Sequence, residues 1–450
     1  MADRDRDLDR FMDWVKEKSP GEQTFHQAVR DAARDLLPLQ ADNEAYARAR
    51  ILERLAIPDR VIGFRIVWQD DDGRTQVNRG WRVQHCNAIG PYKGGIRFRP
   101  DVTVSDLKFL AFEQTLKNAL TGLPLGGGKG GADFEPKGRS DGEIMRFCQA
   151  YMAELWRHIG PYADIPAGDI NVGEREIGYL FGAYKKLAGE FEASLTGKGL
   201  SYGGSPLRTE ATGYGLIYFL EAMLQRQGQA LKDQRIAISG AGDVALHAAE
   251  KAVESGACVI SLSNSTGRLH IDSGYTREDI AWLKTRTLAD GKRLEDFARD
   301  CGRGDWTDGA DPWDLACDVA LPCATENELD GEAARALIGN AVSVVAEGAN
   351  MPCTPDAVDR FHQAGVLFGP GKAANAGGVA LSGLELQQNA QREPRERERL
   401  DAALKEIMCD IHETICGHRE TQAGRIDYAA GANIAGFGKV ADALVAQGIL

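Results

Sequence analysis

The sequence predicts an α/β protein of two domains: a mixed sheet flanked by helices, then a Rossmann-type, doubly wound sheet. Three observations carry this. At about 150 residues per domain, 450 residues exceed a single core. An apolar period of two between Val61 and Val83 marks an early hairpin. Beyond Gly204, short apolar strands alternate with helices, the pattern of a parallel sheet with right-handed crossovers.

The first 60 residues read as helix, with Phe11, Trp14 and Val15, then Phe25, Ala28, Val29 and Ala32, at helical spacing. Phe64, Ile66 and Trp68 alternate, Asp71-Asp72-Gly73 offers a turn, and Val77, Trp81 and Val83 resume the alternation. Ser105 is expected to cap a helix carrying Leu107, Leu110, Phe112 and Leu116, which Gly122 and Pro124 end. The Gly-rich stretch Gly197–Gly204 divides a first domain, 1–203, from a second, 204–429. Strands follow at Arg235–Ser239, Ala257–Ser261, Val319–Leu321, Val342–Ala346 and Val366–Phe368, with a helix at Val244–Ser255. A charged helix over Gln391–Asp410 and an apolar one near Val440–Ile449 complete the chain.

Hydrophobic residues at 43% and charged residues at 26% are the values of an ordinary globular protein. No apolar run reaches the roughly 18 residues that span a bilayer, and Met1–Arg10 is too charged for a secretory signal, so a cytoplasmic address is expected. Nine cysteines scatter without a Cys-x-x-Cys pair; Cys258 and Cys323 lie in apolar runs, so reduced core thiols and no metal are expected. A net charge of −13 argues against a nucleic-acid partner and requires any anionic ligand to find a local cationic pocket.

Arg235–Ala245 is a strand, then Gly240-x-Gly242-x-x-Ala245, then a helix. Gly240 permits the tight turn, Gly242 lets backbone approach a pyrophosphate, and Ala245 allows close helix–sheet packing. An acid for a ribose 2′-hydroxyl is expected about 20 residues on. Here stands Ser263-Asn264-Ser265-Thr266-Gly267-Arg268, without a carboxylate. Hydroxyls, an amide and a nearby cation welcome a 2′-phosphate, which favours NADP over NAD.

Between Gly90 and Ala132 three lysines converge, Lys93 and Lys129 from glycine-flanked loops and Lys117 from a helix face shared with Gln114. Five glycines in Leu125–Gly131 raise the ordering cost of the backbone and imply that something approaches closely. A phosphate-binding P-loop is excluded, because Gly130 and not Ser or Thr follows Lys129. Asp164–Ile170 supplies Asp169, for which an Asx-turn role is an equally good reading of that loop alone.

Taken together, Lys93-Gly-Gly-Ile-Arg-Phe, Phe112-Glu-Gln-Thr-Leu-Lys-Asn, Pro124-Leu-Gly-Gly-Gly-Lys-Gly-Gly, Pro166-Ala-Gly-Asp, Thr196-Gly-Lys, Arg208-Thr-Glu-Ala-Thr-Gly-Tyr-Gly, Gly371-Lys-Ala-Ala-Asn and Gly431-Ala-Asn-Ile-Ala-Gly-Phe resemble the hexameric glutamate dehydrogenases, within the Glu/Leu/Phe/Val dehydrogenase family. The resemblance implies reversible NADP-dependent amination of 2-oxoglutarate with ammonia to L-glutamate, in a homohexamer, with the helix near 430–450 packed back on the first domain. It implies that Lys93 and Ser382 hold the side-chain carboxylate, Gln114 and Lys117 the α-carboxylate, and the Gly168 carbonyl the amino group. Lys129 is then the catalytic lysine and Asp169 its proton-transfer partner. The implied cofactor set is Thr212, Gly240, Gly242, Asp243, Val244, Ser263, Asn264, Asn350 and Asn375, with Arg286 as a partner for the 2′-phosphate. Three positions depart from the family pattern: Asp243 replaces a usual Asn, Asn171 a usual Gly, and Asn264 a frequent acid. The competing readings are a branched-chain or aromatic amino-acid dehydrogenase, whose pocket end is apolar, and a non-catalytic NADP-binding regulatory protein.

Overall fold

Helices Ala2–Lys18 and Gln23–Asp42 open the chain in the computed structural model, which describes residues 2–289, 293–418 and 425–449. Their apolar stripes, Phe11, Met12 and Val15 on one and Phe25, Val29 and Leu36 on the other, are buried. Strands β1 (Arg60–Gln69), β2 (Thr75–Cys86), β3 (Tyr92–Phe98), β4 (Gly127–Ala132) and β5 (Asp164–Gly168) form one mixed sheet in the order β1-β2-β4-β3-β5. The β1–β2 and β2–β4 pairs are antiparallel, whereas β3 runs parallel to both β4 and β5.

The cap expected at Ser105 is at Thr103. Its extended backbone lets the hydroxyl accept from Asp106 N while the Asp106 carboxylate accepts from Thr103 N, and helix Val104–Leu120 starts there. Ser105 falls inside the first turn, where its Oγ accepts from Phe25 N at 3.3 Å. One face of the sheet packs Ile96, Phe98 and Ala132 on Phe134, Phe147 and Tyr151, with Phe134 and Phe147 stacked at 3.7 Å. On the other face Val83 meets Leu107 and Ala111 of helix Val104–Leu120.

The chain groups into two compact units. The first includes everything to Pro206, Ser382–Leu400 and the stretch from Asn433; the second is Leu207–Leu381 with Asp401–Ala432. The second holds β6 (Arg235–Ile238), β7 (Cys258–Asn264), β8 (Gly267–His270), β9 (Asp305–Asp308), β10 (Val319–Leu321), β11 (Val344–Ala346) and β12 (Leu367–Gly369), ordered β12-β11-β10-β6-β7-β8-β9. From β12 to β7 all pairs are parallel, the doubly wound sheet expected. Strands β8 and β9 are an antiparallel extension that the alternation of apolar runs did not reveal. Asn264 makes the reversal: its side-chain oxygen accepts from Thr266 N at 2.8 Å and Gly267 N at 3.1 Å, an Asx turn. The late helices run Arg397–Cys416 and Tyr428–Gln447.

Candidate active site

Side chains alternate along a strand, so Lys93, Gly95 and Arg97 leave one face of β3 while Ile96 and Phe98 enter the core on the other. Ile96 lies opposite Gly130 of β4 and Gly168 of β5. Lys129 and Asp169, each one residue from those partners, therefore share the face of Lys93 and Arg97. Val83, paired with Lys129, packs under helix Val104–Leu120, so that helix covers the same face and carries Gln114 and Lys117. A cationic surface thus arises from strand parity and one helix.

Each group is anchored. Lys93 Nζ donates to Thr196 Oγ1 at 2.8 Å, and Asn118 ties the Lys93 carbonyl to the helix at 3.1 Å. Gln114 donates to Asn118 Oδ1 at 2.6 Å. Arg97 Nε donates to Asp169 Oδ2 at 2.7 Å, and Lys129 Nζ lies 3.0 Å from the same oxygen. From the opposite face Arg82 forms a fork with buried Asp164 and donates to Gly94 O at 3.0 Å, holding the strand that carries Lys93. Burial pushes the Lys129 ammonium below its ordinary pKa, with Arg97 and Arg82 adding to the effect against Asp169. Burial works against ionisation of Asp169, yet Lys129 and Arg97 hold its carboxyl well below the usual range.

The close approach implied by the glycines around Lys129 is present, in a strand where a loop was expected. These glycines form β4, and the close approach they permit is by the protein itself. A Cβ on Gly127 would stand 1.9 Å from Thr115 Oγ1, and one on Gly94 would stand 1.7 Å from Gly128 O. The glycine run lets helix Val104–Leu120 and β3 close onto β4. The Asn171 departure is also explained: it takes φ +59°, which Asn tolerates, and donates to Phe98 O at 2.9 Å.

Ser382 is buried in helix Gly377–Gln391. One turn on, Glu385 accepts from Lys198 Nζ at 2.8 Å and Gly197 N at 3.0 Å, both side chains of the ion pair being 0% exposed. The Thr196–Lys198 segment thereby links Lys93 to the helix of Ser382.

In the second unit Gly240 takes φ +89° after β6, and its N–H donates to Ser263 Oγ at 3.2 Å. Gly242 caps helix Asp243–Glu254 with open space where a Cβ would be. An uncrowded helix N-terminus beyond the carboxyl end of a parallel strand suits a pyrophosphate. Asp243 and Val244 open that helix, and Asp243 is exposed. The nearby cation read into Ser263–Arg268 is not available, since Arg268 is buried on β8 and bonded to Asp314 and to Asp311 O. Arg286 is exposed on Lys284–Ala289. Asn375 Nδ2 donates to Ala349 O at 2.8 Å and to Asn350 Oδ1 at 3.2 Å, which brings these two amides together after β11 and β12. Thr212 lies against Gly378.

Two family models match: "Glutamate/Leucine/Phenylalanine/Valine dehydrogenase" over residues 203–448 and "Glu/Leu/Phe/Val dehydrogenase, dimerisation domain" over residues 58–186. The chain belongs to the Glu/Leu/Phe/Val dehydrogenase family. Within that family it is 54% identical, over 100% of both chains, to the NADP-specific glutamate dehydrogenase of Escherichia coli. It is 49% identical to the NAD-specific glutamate dehydrogenase of Bacteroides fragilis, over 98% of this chain and 100% of that one. Among solved structures, the glutamate dehydrogenase of Plasmodium falciparum matches with a TM-score of 0.97 and 44% identity, covering 99% of this chain and 96% of that one.

Residues to which the sequence assigned no role are Arg97, Asn118, Thr196 and Glu347. Arg97 carried a usable signal, because it lies four residues from Lys93 on one strand and so shares its face. Glu347 carried none: its role appears only where its carboxylate accepts from Gly371 N at 2.6 Å and Cys353 N at 3.3 Å. Among the described residues no helix is long and apolar enough to cross a membrane, and no group of three or more His, Cys, Asp or Glu could hold a metal ion.

Proposed function

We propose that this chain is an NADP-dependent glutamate dehydrogenase, a cytoplasmic homohexamer that interconverts 2-oxoglutarate, ammonia and L-glutamate. The observation that carries this reading is the shared carboxylate oxygen of Asp169, held by Lys129 and Arg97 on a buried face that also bears Lys93. A dicarboxylic substrate suits that face: Lys93 and Ser382 take one carboxylate, Gln114 and Lys117 the other, each through charge-assisted bonds in a dry site. A branched-chain or aromatic pocket would have no use for the Lys93 ammonium.

Asp169 and the Gly168 carbonyl serve the nitrogen, the one accepting an amine proton and the other orienting it. Lys129 protonates the departing hydroxyl of the carbinolamine, which leaves as water and gives 2-iminoglutarate; in reverse, neutral Lys129 takes a proton from the water that attacks the imine. Bound NADPH supplies the hydride that reaches the α-carbon. Gly240, Gly242, Val244, Ser263 and Thr212 would hold the dinucleotide, with Asn350 and Asn375 toward its carboxamide and Arg286 toward its 2′-phosphate.

Amination of 2-oxoglutarate, 2-oxoisocaproate and phenylpyruvate with NADPH and ammonium, followed by nicotinamide absorbance, tests the assignment. The dicarboxylate is expected to be preferred by about 100-fold or more, since buried cations left unmatched penalise an apolar acid. Lys129→Ala should lose roughly 100- to 10,000-fold in kcat with unchanged thermal unfolding. Near-normal turnover by that variant would defeat the assignment of Lys129, and preference for an apolar oxo acid would defeat that of the substrate.

A further inference from the structure

We infer that Arg97 is a positioning residue that supplies the fixed positive charge against which Lys129 gains and loses its proton, an inference that rests on the reading of Lys129 as the acid/base group. Both cations meet the same oxygen, Asp169 Oδ2, at 2.7 Å and 3.0 Å, and both are buried, Arg97 at 2% and Lys129 at 3% exposure. With Lys129 protonated the trio carries one net positive charge. With Lys129 neutral it carries none, and Asp169 remains paired. A lone buried carboxylate is costly, so without Arg97 the neutral lysine would strand Asp169 and the proton would stay on Lys129. Arginine suits this task and lysine does so less well, because a guanidinium does not titrate in this range and its planar fork fixes the carboxylate.

The directions of the two shifts agree with that account. Arg97 lowers both groups, favouring the neutral lysine and the ionised carboxylate alike. Other charged or titratable groups on the packed elements include Arg82 and His85 on β2, Lys93 on β3, Asp164 on β5, Tyr151 on the core side, and Lys108, Glu113 and Lys117 on the covering helix; His85 meets Thr115 Oγ1 at 2.9 Å and burial pushes its pKa down. Arg82 and Asp164 neutralise one another in their fork. Lys93 binds Thr196, and Tyr151 donates to Trp81 O. Among the described residues, Arg97 and Lys129 are the cations bonded to the Asp169 carboxylate.

The consequence concerns glutamate oxidation, in which water attacks the carbon of the protonated imine, the C=N π pair moves to the positively charged nitrogen and neutralises it, and one proton of the water passes to neutral Lys129. The rate climbs as pH passes the Lys129 pKa. Loss of the Arg97 charge raises that pKa and moves the climb to higher pH.

The experiment is kcat/KM for glutamate against pH in the whole enzyme, for wild type, Arg97→Gln, Arg97→Lys and Lys129→Ala, with thermal unfolding of each. Arg97→Gln is expected to move the rising limb up by about one pH unit or more, so that the rate below the limb falls roughly tenfold and recovers above it. Arg97→Lys retains the charge and is expected to keep the limb within about half a unit. An unmoved limb in folded Arg97→Gln overturns the inference while leaving Lys129 in its role. Wild-type activity that survives Lys129→Ala overturns the underlying reading, and the inference with it. If Arg97→Gln does not fold, Arg97→Lys decides: an unmoved limb supports the charge argument, and a limb moved by a unit overturns it.

Discussion

Lys198 and Glu385 form a fully buried ion pair at 2.8 Å, closed by Leu195 O on one side and Gly197 N on the other. Removing one partner leaves the other as an uncompensated charge in the interior, which costs about 3–5 kcal/mol, whereas replacing both with apolar residues of similar volume is often near neutral. Lys198→Met and Glu385→Leu are therefore each expected to lower Tm by roughly 6 °C or more, at about 2 °C per kcal/mol for a large domain. The double variant should recover most of that loss. The pair also sets the site, because Thr196 holds Lys93 and Glu385 lies one turn from Ser382, so KM for 2-oxoglutarate should rise more than kcat falls in the single variants. The assay is a double-mutant cycle, read by scanning unfolding at one protein concentration and by steady-state kinetics. Single variants within about 2 °C of wild type, or a double variant as unstable as the two losses added, would refute the reasoning.

Arg286→Ala is expected to raise KM for NADPH about tenfold while leaving that for NADH within about twofold, since only the former carries the 2′-phosphate; equal effects on both cofactors would remove Arg286 from that role. Burial pushes the Glu347 carboxyl from its ordinary 4.5 up to about 7, against the donors Gly371 and Cys353 that lower it. Its folded pKa exceeds the unfolded one, so the native state binds the extra proton and stability declines as pH rises from about 4.5 to 7, by about 3 kcal/mol at most. Glu347→Gln should flatten the fall of Tm between pH 5 and pH 8, and an unchanged slope would show that another group governs it.

Much of the fold was legible because its signals are local. The strand, Gly240-x-Gly242-x-x-Ala245 and helix are contiguous, and so are the alternating residues of the hairpin. The failures have equally specific causes. Ser105 and Thr103 are both cap formers, and only the position of Asp106 relative to Thr103 selects the earlier one. Strands β8 and β9 are four residues each, too short for a period to register, and Arg268 looked like a free cation because its partner Asp314 lies 46 residues away. The glycines of β4 implied a close approach, which the structure assigns to Thr115 and to the neighbouring strand.

By itself the sequence determined the first hairpin, the parallel strands of the second sheet, the dinucleotide turn and the family motifs, since backbone propensity, glycine geometry and apolar period act between residues near in the chain. Only the tertiary structure decided that Arg97 and Lys129 share one oxygen of Asp169, that Lys198 and Glu385 pair out of water, and that Ser382–Leu400 groups with the first unit. Those outcomes depend on which charges burial forces together, and segments 40 to 187 residues apart in sequence meet only once the sheets and helices have packed.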